Sequence, residues 1–151
     1  MQPESMVHAL EQIHELLKPG GHLIDIHPNG ELVEFHYALG DDEGFLGYMQ
    51  ETDDYIEYRQ ADEALETVIN RGLFHLDIAG AFEFRTYADS FREMQAFLNE
   101  NWSDALITDE VIARATALEK EHGEFKTVLR EQVVIGLFRA GNYGLAKSTV
   151  K

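Results

Sequence analysis

The stretch His8-Ala9-Leu10-Glu11-Gln12-Ile13-His14-Glu15-Leu16-Leu17-Lys18-Pro19-Gly20-Gly21-His22-Leu23-Ile24-Asp25-Ile26 decides how the chain folds. Met6, Leu10, Ile13 and Leu17 recur at helical spacing, which predicts an amphipathic helix over residues 5–17. Lys18-Pro19-Gly20-Gly21 stops it: proline cannot extend a helix, and glycine accepts the positive φ that follows a helix end. The next residues are mostly apolar and are bounded by Pro28-Asn29-Gly30, so residues 22–27 form a strand. An amphipathic helix thus turns tightly into a buried strand, the alternation expected of an α/β layer.

Outward from this unit the same patterns continue. Residues 31–39 alternate, with Val33, Phe35, Tyr37 and Leu39 on one face and Glu34 and His36 on the other. Gly40-Asp41-Asp42-Glu43-Gly44 is a turn, and residues 45–50 return, which predicts a hairpin. Residues 58–71 read as a helix with Ala61, Leu65, Val68 and Ile69 inward and Gly72 as its stop. Residues 73–87 hold two strand-like pieces around Gly80. Ser90 and Glu93 have capping-box spacing and open a helix through Asn99 or Asn101. Thr108 or Asp104 caps a further helix bearing Val111, Ile112, Ala115 and Leu118, which Gly123 ends. Residues 127–138 are the most apolar strand and are expected to be central in the sheet. Together these elements predict one α/β domain over residues 1–140, followed by a mobile C-terminal tail over residues 141–151.

The helix, the Leu17-Lys18-Pro19-Gly20-Gly21 turn and the strand after it resemble one stretch of the class I S-adenosylmethionine-dependent methyltransferases. In that family such a helix and turn lead into the fifth strand of a Rossmann-like sheet. The resemblance implies that a helix, a sixth strand and an antiparallel seventh strand follow, with the seventh pairing the fifth. Gly72-Leu73-Phe74 and the segment from Arg130 to Phe138 fit those places. The implied fold class is α/β, a partial Rossmann-like methyltransferase fold with a mixed sheet of four to six strands, an added β-hairpin and three to four helices. The family holds its cofactor through a glycine-rich turn after the first strand and an acidic residue ending the second. No Gly-x-Gly turn between a strand and a helix occurs here, and Gly20-Gly21 joins a helix to a strand instead. The resemblance begins near residue 6, so it covers the C-terminal half of the family's fold. No cofactor-binding residue is therefore carried over, and no catalytic residue is assigned. The isolated chain is expected to bind no cofactor, S-adenosylmethionine entering only if a complementary N-terminal half supplies the missing site. The competing expectation is a self-associating binding or assembly module without catalysis, most simply a homodimer.

Composition narrows the partners. The 151 residues carry 28 acidic against 12 basic side chains, a net charge of -16. Such a chain lacks the basic patches that displace counterions from nucleic acid or dock on anionic membranes. With no cysteine, disulfides, thiol catalysis and thiolate metal sites are excluded. No apolar run approaches the roughly 20 residues of a membrane span, and a cytoplasmic location is expected.

Candidate site residues are few. His27 closes the first strand, on the side where ligand crevices open in such sheets. His36, on the hairpin, and Trp102, after the capped helix, complete the set of substrate-pocket candidates. The seven histidines have no spacing that gathers three ligands, so no metal site is assigned. Asp41-Asp42-Glu43 with Glu51, Asp53 and Asp54 lacks an EF-hand pattern and reads as a solvated turn. A Gly-x-Ser-x-Gly elbow is likewise missing.

Overall fold

The computed structural model describes residues 3–53 and 55–142. Among the described residues four helices and six strands follow in the order α1 (Pro3–Leu16), β1 (His22–Pro28), β2 (Glu34–Leu39), β3 (Asp42–Glu51), α2 (Ile56–Asn70), β4 (Phe74–Ala88), α3 (Phe91–Asn101), β5 (Ala105–Ile107), α4 (Asp109–His122) and β6 (Lys126–Ala140). The chain is thus mixed α/β, and its sheet pairing is antiparallel. That corrects the expectation of a mixed sheet. A parallel pair needs two strands joined by a crossover and lying side by side, and β1 instead has β6 as its neighbour.

Contacts divide the chain into two compact units, one of residues 1–29, 56–81 and 133–151, the other of residues 30–55 and 82–132. The long strands β4 and β6 each contribute one half to either unit.

In the first unit β1 pairs antiparallel with the second half of β6, from His22 opposite Arg139 to Pro28 opposite Val133. Gly20, at φ 75°, makes the reversal that lets α1 run into β1. The Gly21 N–H then donates to Lys18 O at 2.7 Å. Side chains directly opposite in an antiparallel pair share a face. Leu23 and Phe138 therefore point together toward α1 and α2. There Leu65, Val68, Leu73, Phe74, Phe138 and Ala140 form a core, with Val7, Leu10, Ile13 and Leu17 packed on it.

In the second unit β2 pairs with β3 and with the first half of β6, and β3 pairs with the short β5. β2 begins at Glu34, three residues later than the alternation suggested, while the Val33 carbonyl still accepts from Met49 N at 2.8 Å. The register shifts between Phe35 and His36. Ser90 caps α3, its Oγ accepting from Glu93 N at 3.1 Å, and the Glu93 carboxylate accepts from Asp89 N at 2.7 Å. Of the two candidate caps for α4, Thr108 is the one used, and Gly123 closes the helix at φ 80°.

One strand assignment needs correcting. β4 is a single strand of 15 residues through Gly80, not two pieces. Glycine weakens a strand without breaking it, and a Cβ at Gly80 would stand 3.4 Å from Ile135 Cγ2, within ordinary contact. β6 pairs with β1, β2 and β4, so the most apolar strand is central, as its composition indicated. Of the expected C-terminal tail, Gly141 donates its N–H to Leu73 O at 2.7 Å, and residues 143–151 lie outside the described residues.

Candidate functional site

β1 carries the chemistry of the first unit. Its odd-numbered residues face the helices, so Asp25 and His27 lie on the same side as Leu23. His27 Nδ1 stands 2.6 Å from Asp25 Oδ2, and Nε2 stands 2.9 Å from Asp62 Oδ1 on α2. Both ring nitrogens meet carboxylates, which only accept, so the arrangement calls for an N–H on each. The hydrogen bond to Asp25 dominates in raising the His27 pKa, with further help from its charge and from Asp62, against the opposing effect of burial. The group is therefore an imidazolium clamp between β1 and α2. A histidine held this way is a poor general base until one carboxylate lets go, and Asp62 is the more exposed of the two.

The clamp has a definite pH signature. Because the folded pKa of His27 is raised, its stabilisation is fully present below the unfolded value of about 6.5 and is lost as pH rises through the folded value. His27→Gln is expected to cost about 1 kcal/mol at pH 5.5, below the range of a buried charged hydrogen bond because Asp62 is solvated. At pH 8.5 the cost should shrink. Urea unfolding of both proteins at the two pH values measures this, and a difference that grows with pH would refute the clamp.

Two clefts adjoin the strand. Asp25 lines a small one of about 190 Å³ together with Met6, Ala9, Leu10, Ala61, Ala64 and Leu65. A larger one of about 710 Å³ lies at the opposite, amino-terminal end of β1, lined by Glu11, His14, Glu15, Lys18, Arg71 and Gly141 among others. Arg71 pairs there with Glu11 at 2.6 Å, and His14 Nε2 stands 3.0 Å from Gly141 O.

His36 and Trp102 belong to the second unit, each anchored by carboxylates. His36 Nε2 lies 2.7 Å from Glu34 Oε2, Nδ1 lies 3.7 Å from Glu43, and the ring stands edge-on to Phe45. Glu43 in turn pairs with Arg130. The Trp102 indole N–H donates to Glu51 Oε1 at 2.9 Å, and its backbone N–H closes α3 on Leu98 O. Burial pushes the Tyr55 phenol up to about 12, and its hydroxyl donates to Met49 O at 2.8 Å. Burial likewise raises the Glu131 carboxyl. Each of these polar groups is committed to a local partner or to the interior.

Asp62, like Asp25, is a site residue that sequence analysis did not single out. It lies 35 positions from His27, next to the inward-facing Ala61, and no local pattern marks such a pair. Among the described residues no group of three or more His, Cys, Asp or Glu is placed to hold a metal ion. No helix among them is long and apolar enough to cross a membrane. No protein-family model and no curated protein matches the chain.

Proposed function

We propose that this chain is a methyltransferase-like half-domain. It corresponds to the class I S-adenosylmethionine-dependent fold from the helix before the fifth strand to the last strand, and it does not hold the cofactor by itself. The observation that carries this reading is the placement of β6. The last strand among the described residues pairs antiparallel with the whole of β1, the neighbour relation the resemblance implies between the seventh strand and the fifth. β4, before it in sequence, pairs with β6 as well.

The residues present do not fit the cofactor. A glycine-rich turn that opens a helix after a strand would let backbone N–H groups approach it. Here Gly20 and Gly21 close a helix and precede a strand. The cleft touching Asp25 holds about 190 Å³, small against the roughly 300–1,000 Å³ of ordinary ligand sites. The roomier cleft lies at the amino-terminal end of β1, where such sheets do not place their ligands. In this reading the chain contributes a substrate-side wall, aligning and desolvating a methyl acceptor when a cofactor-binding half is supplied. The cysteine-free composition suits a reducing, cytoplasmic setting.

Calorimetry tests it in two arms. Titrated with S-adenosylmethionine, the chain alone should give no binding heat. Joined behind the first four strands of a class I methyltransferase, it should restore binding in the micromolar range. A dissociation constant of about 10 µM or tighter for the chain alone, near -7 kcal/mol, would overturn the reading, as would a chimera that stays silent.

A further inference from the structure

β1 has a strand neighbour on one side only among the described residues. The hydrogen bond from Ala140 N to Gly21 O sets the alternation of the β1–β6 pair. With Gly21 a hydrogen-bonded position, the odd residues Leu23, Asp25 and His27 direct their backbone groups at β6, and the even residues His22, Ile24 and Ile26 direct theirs outward. The open edge therefore offers three N–H donors and the matching carbonyls, and Pro28 ends the row because it has no N–H.

The same even residues carry the bare side of the sheet. Ile24 lies opposite Leu137 and Ile26 opposite Ile135, on the face away from α1 and α2. Ile24 is 62% exposed, Ile26 56% and Ile135 36%. Beyond them this face holds His22, Pro28, Val133 and Arg139. The carboxylate that reaches it, Asp77 of β4, is held by Arg139 at 3.1 Å and stands 3.8 Å from His22, so the face carries no unpaired acid, in a chain whose net charge is -16. Most approaches of two such chains bring acids together, and this face with its edge does not. The rival edge, β4, carries Asp77, Glu83 and Arg85, the kind of charges that blunt an edge.

We propose that β1 is a self-pairing edge, onto which a second copy of this chain adds its own β1 antiparallel about a two-fold axis. Repulsion chooses the register. A pair centred on Asp25 would set two carboxylates directly opposite each other. A pair centred on Ile24 sets isoleucine against isoleucine and Asp25 against Leu23 of the second copy, with His22, Ile24 and Ile26 all hydrogen-bonded across the axis. The aliphatic face then continues from one copy into the next. One self-complementary patch serves both chains, so the assembly closes at two.

Sedimentation of the 151-residue chain at high micromolar concentration should give twice the 17.2 kDa chain mass. Ile24→Lys, at an exposed site where circular dichroism should stay native, should raise the dimer dissociation constant by about 100-fold or more. Phe84→Lys on β4 should leave it unchanged. In this cysteine-free chain, Ile24→Cys should oxidise to a covalent dimer, since opposed Cα atoms about 5.5 Å apart are within disulfide reach. Ile26→Cys should not. A wild type that stays monomeric would overturn the proposal and leave the edge to a different chain. A dimer that survives Ile24→Lys, or one lost in Phe84→Lys, would overturn it too. Cross-linking through Ile26→Cys in place of Ile24→Cys would overturn the register.

Discussion

Phe74→Ala is expected to lower the stability of the chain by about 3–5 kcal/mol. Phe74 opens β4 at the centre of the first unit's core and is fully buried. Its ring meets the His14 imidazole edge-on at 5.4 Å between centroids. Truncation removes the transfer free energy of a whole ring, leaves a cavity among Leu65, Val68 and Phe138, and deletes the aromatic contact. Against a total stability of about 5–15 kcal/mol, that is a loss of at least about one fifth. Phe84→Ala is the internal comparison: the same side chain on the same strand, but 52% exposed, should change stability by well under 1 kcal/mol. Equilibrium unfolding in urea measures both. Equal losses for the two variants would show that the packing described around Phe74 is wrong.

The second large effect is expected at Gly47, in β3 of the other unit. Its φ of 154° lies in the region that side chains disfavour, next to the register shift of the β2–β3 pair. A Cβ there would stand 2.5 Å from Cγ2 of Val111, itself 1% exposed on α4. Gly47→Ala thus meets two separate penalties: about 1–3 kcal/mol for the backbone and about 1–3 kcal/mol for overpacking. Val111→Ala removes the clashing methyl and can relieve only the second. The double variant should therefore be more stable than the sum of the singles allows, by about 1–2 kcal/mol. Strict additivity would sink the steric account, and complete rescue would sink the backbone part.

Local physics explains what was legible beforehand. The Leu17-Lys18-Pro19-Gly20-Gly21 turn, the Ser90 cap with Glu93 and the stop at Gly123 each rest on interactions within a few residues, and each stands where the spacing put it. β6 could be read as central because its near-continuous apolar run needs cover on more than one side. The junction at Gly80 was misjudged for the complementary reason. Glycine is a local signal for a break, but whether a strand continues depends on the ladder beside it, and β6 supplies that ladder. The starting point of β2 and the shift at Phe35 and His36 were illegible too, since register is a property of two strands.

The candidate site divides along the same line. That His27 closes a strand follows from the sequence around it. That it is clamped between Asp25 and Asp62 required α2 to fold back on β1, and two residues 35 positions apart leave no local trace of meeting. His36 and Trp102 were chosen as ring-bearing residues near predicted element ends; Glu34 shares the predicted face of His36, while Glu43 and Glu51 follow from pairing and packing. The amino-acid sequence by itself determined the four helices and most of the strands, the acidic charge and the missing strand-to-helix glycine turn. Those are sums or short-range patterns of single residues. Tertiary structure alone decided the register in which β6 lies beside β1, the meeting of Asp62 with His27, and how far Ile24 and Ile26 are exposed. Partner choice and exposure are settled only when segments distant in the chain compete for the same neighbour, and no window of sequence contains that competition.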